Sequence, residues 1–372
     1  KINLLNNKIE KIKNSNISSI QKIFFLIDDC KKYGTLPFSG IARIAFVCTK
    51  ILRSLKKLNI ISQKDVENLY ASIPTITKKI NFDFAKIGKS IKMKNNFLNY
   101  YGHLRPLTYS ITSPNYKEGF KTYFSSNIKN KKIKKRNFNL TVNQHKKISK
   151  LFLKEKINLD SRIFFNLLKG SIENREYSKF IFTKSINEIF KNLIKLGNEI
   201  NINRSDLEFI SIKKIISSYS ILETPKLSSI LKKEIINNKK SFNILKQIKF
   251  PDCILSSKDI YFQKVKSSKG NFITNKKING NIVYLDSLNS MKKLKNKIIL
   301  LENADPGFDF IFAHEIKGLI TKYGGSNSHM AIRCLELSVP AIIGIGLNEF
   351  DQIKESNFIE FDCEQKTFKS IN

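Results

Sequence analysis

The chain has 372 residues, of which 41% are hydrophobic and 28 are phenylalanine, so it can form two or three domains with a substantial core. Its formal net charge is +35, but its 66 basic residues include only 8 arginines. Proteins that read nucleic acids favour arginine for its planar fork, so this composition argues against a nucleic-acid partner. The positive charge would still attract ATP and phosphorylated small molecules.

The cysteine positions and the hydropathy of the chain indicate in which cellular compartment we expect it. The five cysteines are scattered with no CxxC pair, so we expect neither a disulfide framework nor a metal site, and a reducing cytoplasm fits best. No apolar run reaches the ~18–20 residues that span a bilayer, so we expect no membrane association. The alternative of a basic nucleic-acid binder would show salt-dependent retention on DNA or RNA.

Residues 1–250 show mainly helical patterns. Apolar residues recur with a period of 3.6 along residues 41–58, after a start punctuated by glycine and proline. Further segments with helical patterns are 141–156, 185–200, 205–217 and 226–247. We therefore predict a helical domain over residues 1–250.

A polar segment interrupts these helices between residues 102 and 118. It combines a glycine turn, a histidine, an arginine and two tyrosines: Gly102, His103, Arg105, Tyr109 and Tyr116. Arginine is scarce in this chain, and its guanidinium suits two-pronged contact with a carboxylate or phosphate. The segment is therefore a candidate substrate site. The alternative is that His103 and Arg105 tie a loop to the helices through hydrogen bonds.

The pattern changes near residue 250, and strands then alternate with helices. The predicted strands are 280–285, 297–302, 318–321, 341–345 and 358–362. This alternation predicts a compact α/β domain over residues 251–372, with a linker near 250–275. Neither a Walker P-loop nor a G-x-G-x-x-G motif is present.

The stretch from Tyr323 to Ile332 places a histidine, His329, at the start of a predicted helix. A strand leads into two glycines and three small polar residues before it, and Pro340 ends the helix. Free backbone N–H groups and the helix dipole favour an anion at such a position. The layout suits a histidine that carries a phosphoryl group, whereas the alternative is a histidine that merely caps a helix.

Residues 324–344, GGSNSHMAIRCLELSVPAIIG, resemble the phosphohistidine signature of the phosphoenolpyruvate-utilising enzymes. That group includes phosphoenolpyruvate synthase, pyruvate phosphate dikinase, rifampicin phosphotransferase and L-glutamine kinase-like proteins. The resemblance implies that His329 is the phosphate carrier and that nearby residues shape its loop. The loop residues so implied are Gly324, Gly325, Ser326, Asn327, Ser328 and, one turn into the helix, Arg333.

Two further segments carry the same resemblance. Asp305, Pro306 and Gly307 are similar to the Asp-Pro-Gly turn that precedes the signature. Residues 100–118 resemble the Gly-His-Arg-Gly-Pro motif of rifampicin phosphotransferase-like central domains, and most closely its Tyr-Gly-His-Leu-Arg-Pro version in glutamine kinase-like proteins. This implies that His103, Arg105, Tyr109 and Tyr116 bind the acceptor.

Three positions depart from the family pattern. Asn327 stands where threonine is usual, Met330 replaces a small residue, and Leu335 stands where arginine is expected. Arg333 is present two positions earlier, where it could neutralise the phosphoryl charge or form a surface pair with Glu336.

The resemblance implies an α plus α/β protein: a mostly helical acceptor-substrate domain followed by a swivelling β/α phosphohistidine domain. The implied activity is an ATP-dependent phosphotransferase that passes a phosphoryl group from His329 to a small-molecule acceptor, such as the amide of L-glutamine. ATP and Mg²⁺ would be bound by an ATP-grasp domain, in cis or in trans, which this sequence does not display. The alternatives are a phosphoenolpyruvate synthase-like activity and a non-catalytic phosphocarrier that partners a separate ATP-grasp protein.

Overall fold

The computed structural model describes residues 1–88, 90–124, 138–221, 223–247, 254–261, 270–285 and 294–371. Helices dominate up to residue 261, and all described strands follow. The helices of this first part are α1 (Ile2–Lys13), α2 (Ser19–Asp29), α3 (Leu36–Lys57), α4 (Gln63–Ser72), α5 (Ile76–Ala85), α6 (Ile91–Tyr101), α7 (Phe120–Tyr123), α8 (Val142–Lys154), α9 (Ser161–Glu199), α10 (Ile212–Ser217), α11 (Thr224–Leu245) and α12 (Lys258–Tyr261).

Helix α9 is the central element of the helical part. It has 39 residues and is therefore about 58 Å long. Asp160 begins it by accepting hydrogen bonds from the amides of Arg162 and Ile163, as a helix N-cap does. Helices α1, α2 and α3 pack along it. Its middle buries two charged residues, Arg175 and Glu176.

Helices α2 and α3 form one continuous helical stretch because a π-helical segment, Cys30–Thr35, joins them. This stretch, residues 19–57, is long and apolar enough by composition to cross a membrane. Core helices of soluble proteins meet the same criterion, and Ala45, Cys48 and Leu52 are buried against the helical core. Periodicity placed only residues 41–58 of this stretch in a helix, and the expectation of no membrane association stays a prediction.

A seven-stranded mixed sheet forms the second part. Its strands are β1 (Asn271–Ile273), β2 (Lys277–Tyr284), β3 (Ile298–Asn303), β4 (Gly318–Tyr323), β5 (Ala341–Ile343), β6 (Phe358–Asp362) and β7 (Thr367–Ile371), with helices α13 (His329–Leu337) and α14 (Leu347–Lys354). The order is β1-β5-β4-β3-β2-β6-β7. Strands β2, β3, β4 and β5 are parallel neighbours, whereas β1, β6 and β7 pair antiparallel. All five predicted strands are present, and β1 and β7 were not predicted.

The two parts share a hydrophobic core. A 3₁₀ helix, Pro306–His314, follows β3 and buries Phe310 and Ile311 completely. These side chains belong to the same cluster as Tyr116 and Tyr123 of the helical part. The mixture of helix and sheet agrees with the expected fold class. The boundary predicted at 250/251 lies outside the described residues, so the division into two domains stays a prediction.

Candidate active site

The histidine loop connects the carboxyl end of β4 to α13, on the edge of the parallel strands where open α/β sheets bind ligands. Gly324 has φ +133° and Gly344 has φ +68°, which side chains rarely adopt, and a Cβ on Gly344 would overlap the carbonyl oxygen of Gly324. Ser328 caps α13 by accepting a 3.3 Å hydrogen bond from the amide of Ala331. The glycines and the cap therefore fix the backbone that presents His329.

His329 is the first residue of α13 and lies between two carboxylates. Its Nε2 is 2.8 Å from both carboxylate oxygens of Asp309, and its Nδ1 is 2.6 Å from Oε2 of Glu176. The Nδ1 contact is a close ion pair whose direction departs from hydrogen-bond geometry. The side chain is 9% exposed. A carboxylate therefore lies against each of the two ring nitrogens.

These carboxylates determine the charge of His329. Burial alone would lower the pKa of the imidazole, but Asp309 and then Glu176 raise it to about 9. His329 is therefore an imidazolium at neutral pH. This environment differs from the hydroxyl and amide surroundings that the loop sequence suggested, because neither carboxylate lies in the loop.

Glu176 comes from the middle of α9 and reaches His329 across the boundary between the helical and sheet parts. Burial would raise the pKa of its carboxyl, but His329 and the adjacent Arg175 hold that pKa far below its usual range. The Arg175 guanidinium donates to Oε1 at 2.9 and 3.2 Å. Glu176 is thus the residue of α9 that faces His329, whereas Lys184, two turns further along, donates to Asn6.

Asp309 is positioned by the Asp-Pro-Gly turn. The Asp305 carboxylate accepts from the amide of Gly307 at 2.6 Å and from the hydroxyl of Thr108 at 3.2 Å. A Cβ on Gly307 would overlap the carbonyl oxygen of Arg105, so glycine permits the turn to lie directly on the helical part. The turn thus starts the 3₁₀ helix that carries Asp309 to His329. Asp305 itself shapes the backbone and does not contact the histidine.

A pocket of ≈ 50 Å³ opens beside His329, Glu176 and Asp309. Most of the surface that lines it is apolar. The other lining residues are Ile76, Ile80, His103, Leu104, Arg105, Thr108, Lys179, Phe180, Thr183, Ile186 and Gly307. Lys179 is one helical turn from Glu176, and burial lowers the pKa of its ammonium while Asp305 and Glu176 oppose that effect. Among the described residues its ammonium has no hydrogen-bond or ion-pair partner. Sequence reasoning missed this cation.

His103 and Arg105 line this pocket, but their polar groups form hydrogen bonds with other parts of the protein. His103 Nε2 lies 3.0 Å from the carbonyl oxygen of Phe180, and burial lowers the pKa of His103 to about 3. Arg105 donates to Asn187 at 2.6 Å and to the carbonyl of Ser113 at 3.2 Å. These hydrogen bonds tie the loop to α9, as the alternative interpretation expected.

The two tyrosines assigned to the acceptor site lie in different surroundings. Tyr109 is 65% exposed. Tyr116 is fully buried, and its hydroxyl donates to the carbonyl oxygen of Gly307 at 3.3 Å. Neither lines the pocket beside His329. Tyr116 instead joins the loop to the Asp-Pro-Gly turn.

Arg333 is buried and does not form a surface pair. Its Nη1 contacts Glu336 and donates to the hydroxyl of Thr75 at 3.0 Å, and its Nε lies 3.6 Å from Asp309. Asp309 therefore lies between the guanidinium and His329. Of the other loop residues, Ser326 and Asn327 accept hydrogen bonds from Arg53 on α3, through the carbonyl oxygen at 3.2 Å and Oδ1 at 2.6 Å.

Residues 294–366 match the family model of the PEP-utilising enzyme, mobile domain. The match runs from before β3 to the turn between β6 and β7 and contains both His329 and Asp309. A comparison with curated proteins found no match. The family match supports the PEP-utilising enzyme family and suggests a phosphotransfer protein that carries phosphate on histidine.

Proposed function

We propose that this chain is a phosphohistidine-dependent phosphotransferase in which His329 carries the phosphoryl group to a small-molecule acceptor bound in the adjacent pocket. The observation that supports this is the position of His329, at a helix N-terminus between two carboxylates and at the wall of a pocket. The pocket also contains Lys179, whose ammonium has no ion-pair partner among the described residues. ATP with Mg²⁺, held by an ATP-grasp domain in cis or in trans, would supply the phosphoryl group.

The contacts of His329 are those expected of the carrier before it is phosphorylated. Asp309 and Glu176 approach its nitrogens to 2.8 and 2.6 Å, which leaves no space for a phosphoryl group on either nitrogen. One carboxylate must therefore move away when the carrier is loaded. The remaining carboxylate would accept the N–H of the other ring nitrogen and hold the imidazole in orientation.

Transfer to the acceptor follows from this arrangement. The N–P bond of phosphohistidine breaks as the bond from phosphorus to the acceptor oxygen or nitrogen forms. The proton of the acceptor passes to the nearby carboxylate and then to the released ring nitrogen, which restores the imidazolium. Lys179 would neutralise charge on the transferring group, and catalysis would consist mainly of positioning and charge neutralisation.

The acceptor is a small compound, and the pocket of ≈ 50 Å³ would have to widen, as one carboxylate moves away, to admit a compound of the size of L-glutamine. L-glutamine, through its side-chain amide, is our first candidate because of the Tyr-Gly-His-Leu-Arg-Pro segment. The mainly apolar lining and the engagement of Arg105 by Asn187 make an uncharged hydroxyl compound the second candidate. A phosphate-labelled carrier exposed to each compound in turn distinguishes them by the phosphorylated product.

The test is direct labelling with phosphoramidate, a small chemical donor of phosphoryl groups to histidine. The wild type should acquire an acid-labile, base-stable phosphate, and His329→Ala should lose it while its circular dichroism remains that of the wild type. His103, His145 and His314 stay in the variant as internal controls. Equal labelling of the variant would show that His329 is not the carrier.

A further inference from the structure

Two contacts tie the histidine segment to the helical part, one on each side of His329. On the N-terminal side, Arg53 of α3 donates to Oδ1 of Asn327 at 2.6 Å and to the carbonyl oxygen of Ser326 at 3.2 Å. Asn327 is one of the three departures from the family pattern. Its longer side chain presents an amide oxygen that Arg53 reaches.

On the C-terminal side, the contact is a buried cluster of Thr75, Arg333 and Glu336. The Thr75 hydroxyl accepts from Arg333 at 3.0 Å and donates to Glu336 at 3.2 Å. Thr75 is the N-cap residue of α5, yet its side chain makes no capping hydrogen bond. Its hydroxyl forms hydrogen bonds with residues of the sheet part and none with the backbone of its own helix, which is unusual for a threonine at an N-cap.

Helix α5 also forms a wall of the pocket through Ile76 and Ile80. Thr75 therefore connects the helix that begins with His329 directly to the element that would contact the acceptor. Arg333, which stands two positions before the place where the family pattern has arginine, makes this connection. Both contacts thus use residues that distinguish this chain from the pattern it resembles.

We infer that Arg53 and Thr75 are positioning residues that clamp α13 at two points and fix the orientation of His329 toward Glu176, Asp309 and the pocket. This inference rests on the proposed function only for its catalytic consequence. Phosphoryl transfer depends on alignment, and a misplacement of about 1 Å can slow an aligned reaction by roughly a hundredfold. Neither residue lines the pocket, so neither is expected to contact the acceptor.

The first measurement follows the ¹⁵N resonances of the His329 imidazole during a pH titration. In the clamped state the ring faces Asp309 and Glu176, with Arg175, Arg333 and Lys179 as the neighbouring cations. Arg53→Ala and Thr75→Val should each move the titration midpoint from about 9 toward 6.5, because the ring leaves the carboxylates. Thr75→Ser should restore it. Lys50→Ala, an exposed residue one turn before Arg53, should leave it unchanged.

The second measurement is the rate at which phosphoramidate labels His329, whose side chain is 9% exposed in the clamped state. Loss of either contact should raise this rate about tenfold, the effect of a hydrogen bond to a charged group. The double variant Arg53→Ala with Asn327→Ala should add nothing to Arg53→Ala alone, since the two side chains form one contact. Unchanged titration and labelling in Arg53→Ala and Thr75→Val would overturn the clamp. Absence of label on His329 in every variant would instead overturn the proposed function, while the titration still tests the clamp.

Discussion

At the scale of single residues, the charge of His329 is the central property. A histidine between two carboxylates is a stable cation, whereas a nucleophile needs a free nitrogen. Under the proposed function, the docked arrangement suits the moment after transfer, when the imidazole has lost its phosphoryl group. To be loaded again, His329 would first have to lose contact with at least one of Glu176 and Asp309.

The raised pKa of His329 predicts a specific dependence of stability on pH. Its folded pKa of about 9 lies above the ordinary 6.5, so its contribution is fully present below pH 6.5 and is lost as pH rises through 9. Glu176 has a lowered pKa, so its contribution is present above its ordinary 4.5 and is lost in acid. The wild type should thus exceed His329→Asn in unfolding free energy by up to ~3 kcal/mol near pH 6. Urea unfolding at pH 6, 7.5 and 9.5 measures this difference, and a constant difference would contradict the ion pairs.

Lys179 is the residue that the pocket geometry adds to the sequence prediction. We expect Lys179→Met to leave labelling of His329 by phosphoramidate intact but to slow discharge to the acceptor roughly ten- to hundredfold, because methionine keeps the length and removes the charge. Lys184→Met, five residues along the same helix, is the matched control since that ammonium contacts Asn6. A pulse-chase experiment measures the discharge. Equal rates in the Lys179 variant and the wild type would exclude a role in transfer.

At the scale of elements, the close packing of the Asp-Pro-Gly turn leads us to expect that adding one methyl group there lowers the stability of the protein. Gly307→Ala should weaken the docking of the turn on the loop at Arg105, because a methyl group there would overlap backbone atoms that cannot move aside easily. We expect a loss of roughly 1–3 kcal/mol in unfolding free energy, typical of overpacking. Gly325→Ala is the control, since no atom lies within 4 Å of a Cβ at that position. Similar stability of the two variants in urea would contradict this account.

The elements were predictable where a simple pattern carries them. Helix α3 and strand β3 have regular apolar patterns. The predicted end of α3 and both predicted ends of β3 lie within one residue of the observed ends. Helix α9 was recognised only over residues 185–200, because buried polar residues such as Ser178, Arg175 and Glu176 interrupt its apolar stripe. Of these, Glu176 contacts His329 and Arg175 contacts Glu176, so two residues of the site are among those that interrupt the hydrophobic pattern.

The site was predictable to the same partial degree. The loop and His329 are contiguous in sequence and could be read together. Glu176 and Asp309 lie 153 and 20 positions away from His329, and only the fold brings them to it. Arg105 was predicted to bind the acceptor because arginine is scarce in this chain, and that assignment stays a prediction. In the fold its guanidinium donates to Asn187 and to the carbonyl of Ser113, contacts that the sequence does not indicate.

At the scale of the whole molecule, the sheet part is docked on the helical part through a shared core. Phe310 packs with Tyr116 and Tyr123, and His314 Nε2 lies 2.8 Å from the carbonyl oxygen of Tyr123. If the sheet part swivels as a phosphate carrier, as the proposed function implies, it would have to break these contacts in each cycle. The ion pairs at His329 stabilise the docked state, so swivelling requires some change that weakens them when His329 carries phosphate.

Phosphorylation itself can provide that change. A phosphoryl group replaces the imidazolium by two negative charges beside Glu176 and Asp309, and each pair of like charges about 4 Å apart costs roughly 4 kcal/mol near a protein surface. Attraction thus becomes repulsion. We predict that loading of His329 loosens the docked state and exposes the 3₁₀ helix Pro306–His314.

Hydrogen exchange followed by mass spectrometry measures this opening. After labelling with phosphoramidate, peptides that cover residues 306–314 should exchange faster, because local opening becomes easier when the docking contacts weaken. Peptides from α11, which packs in a separate cluster of the helical part, should keep their rates. His329→Ala treated in the same way should show no change beyond that of the substitution. If the labelled protein exchanges more slowly at 306–314, phosphate strengthens docking, and the carrier must be released by another event such as binding of the acceptor.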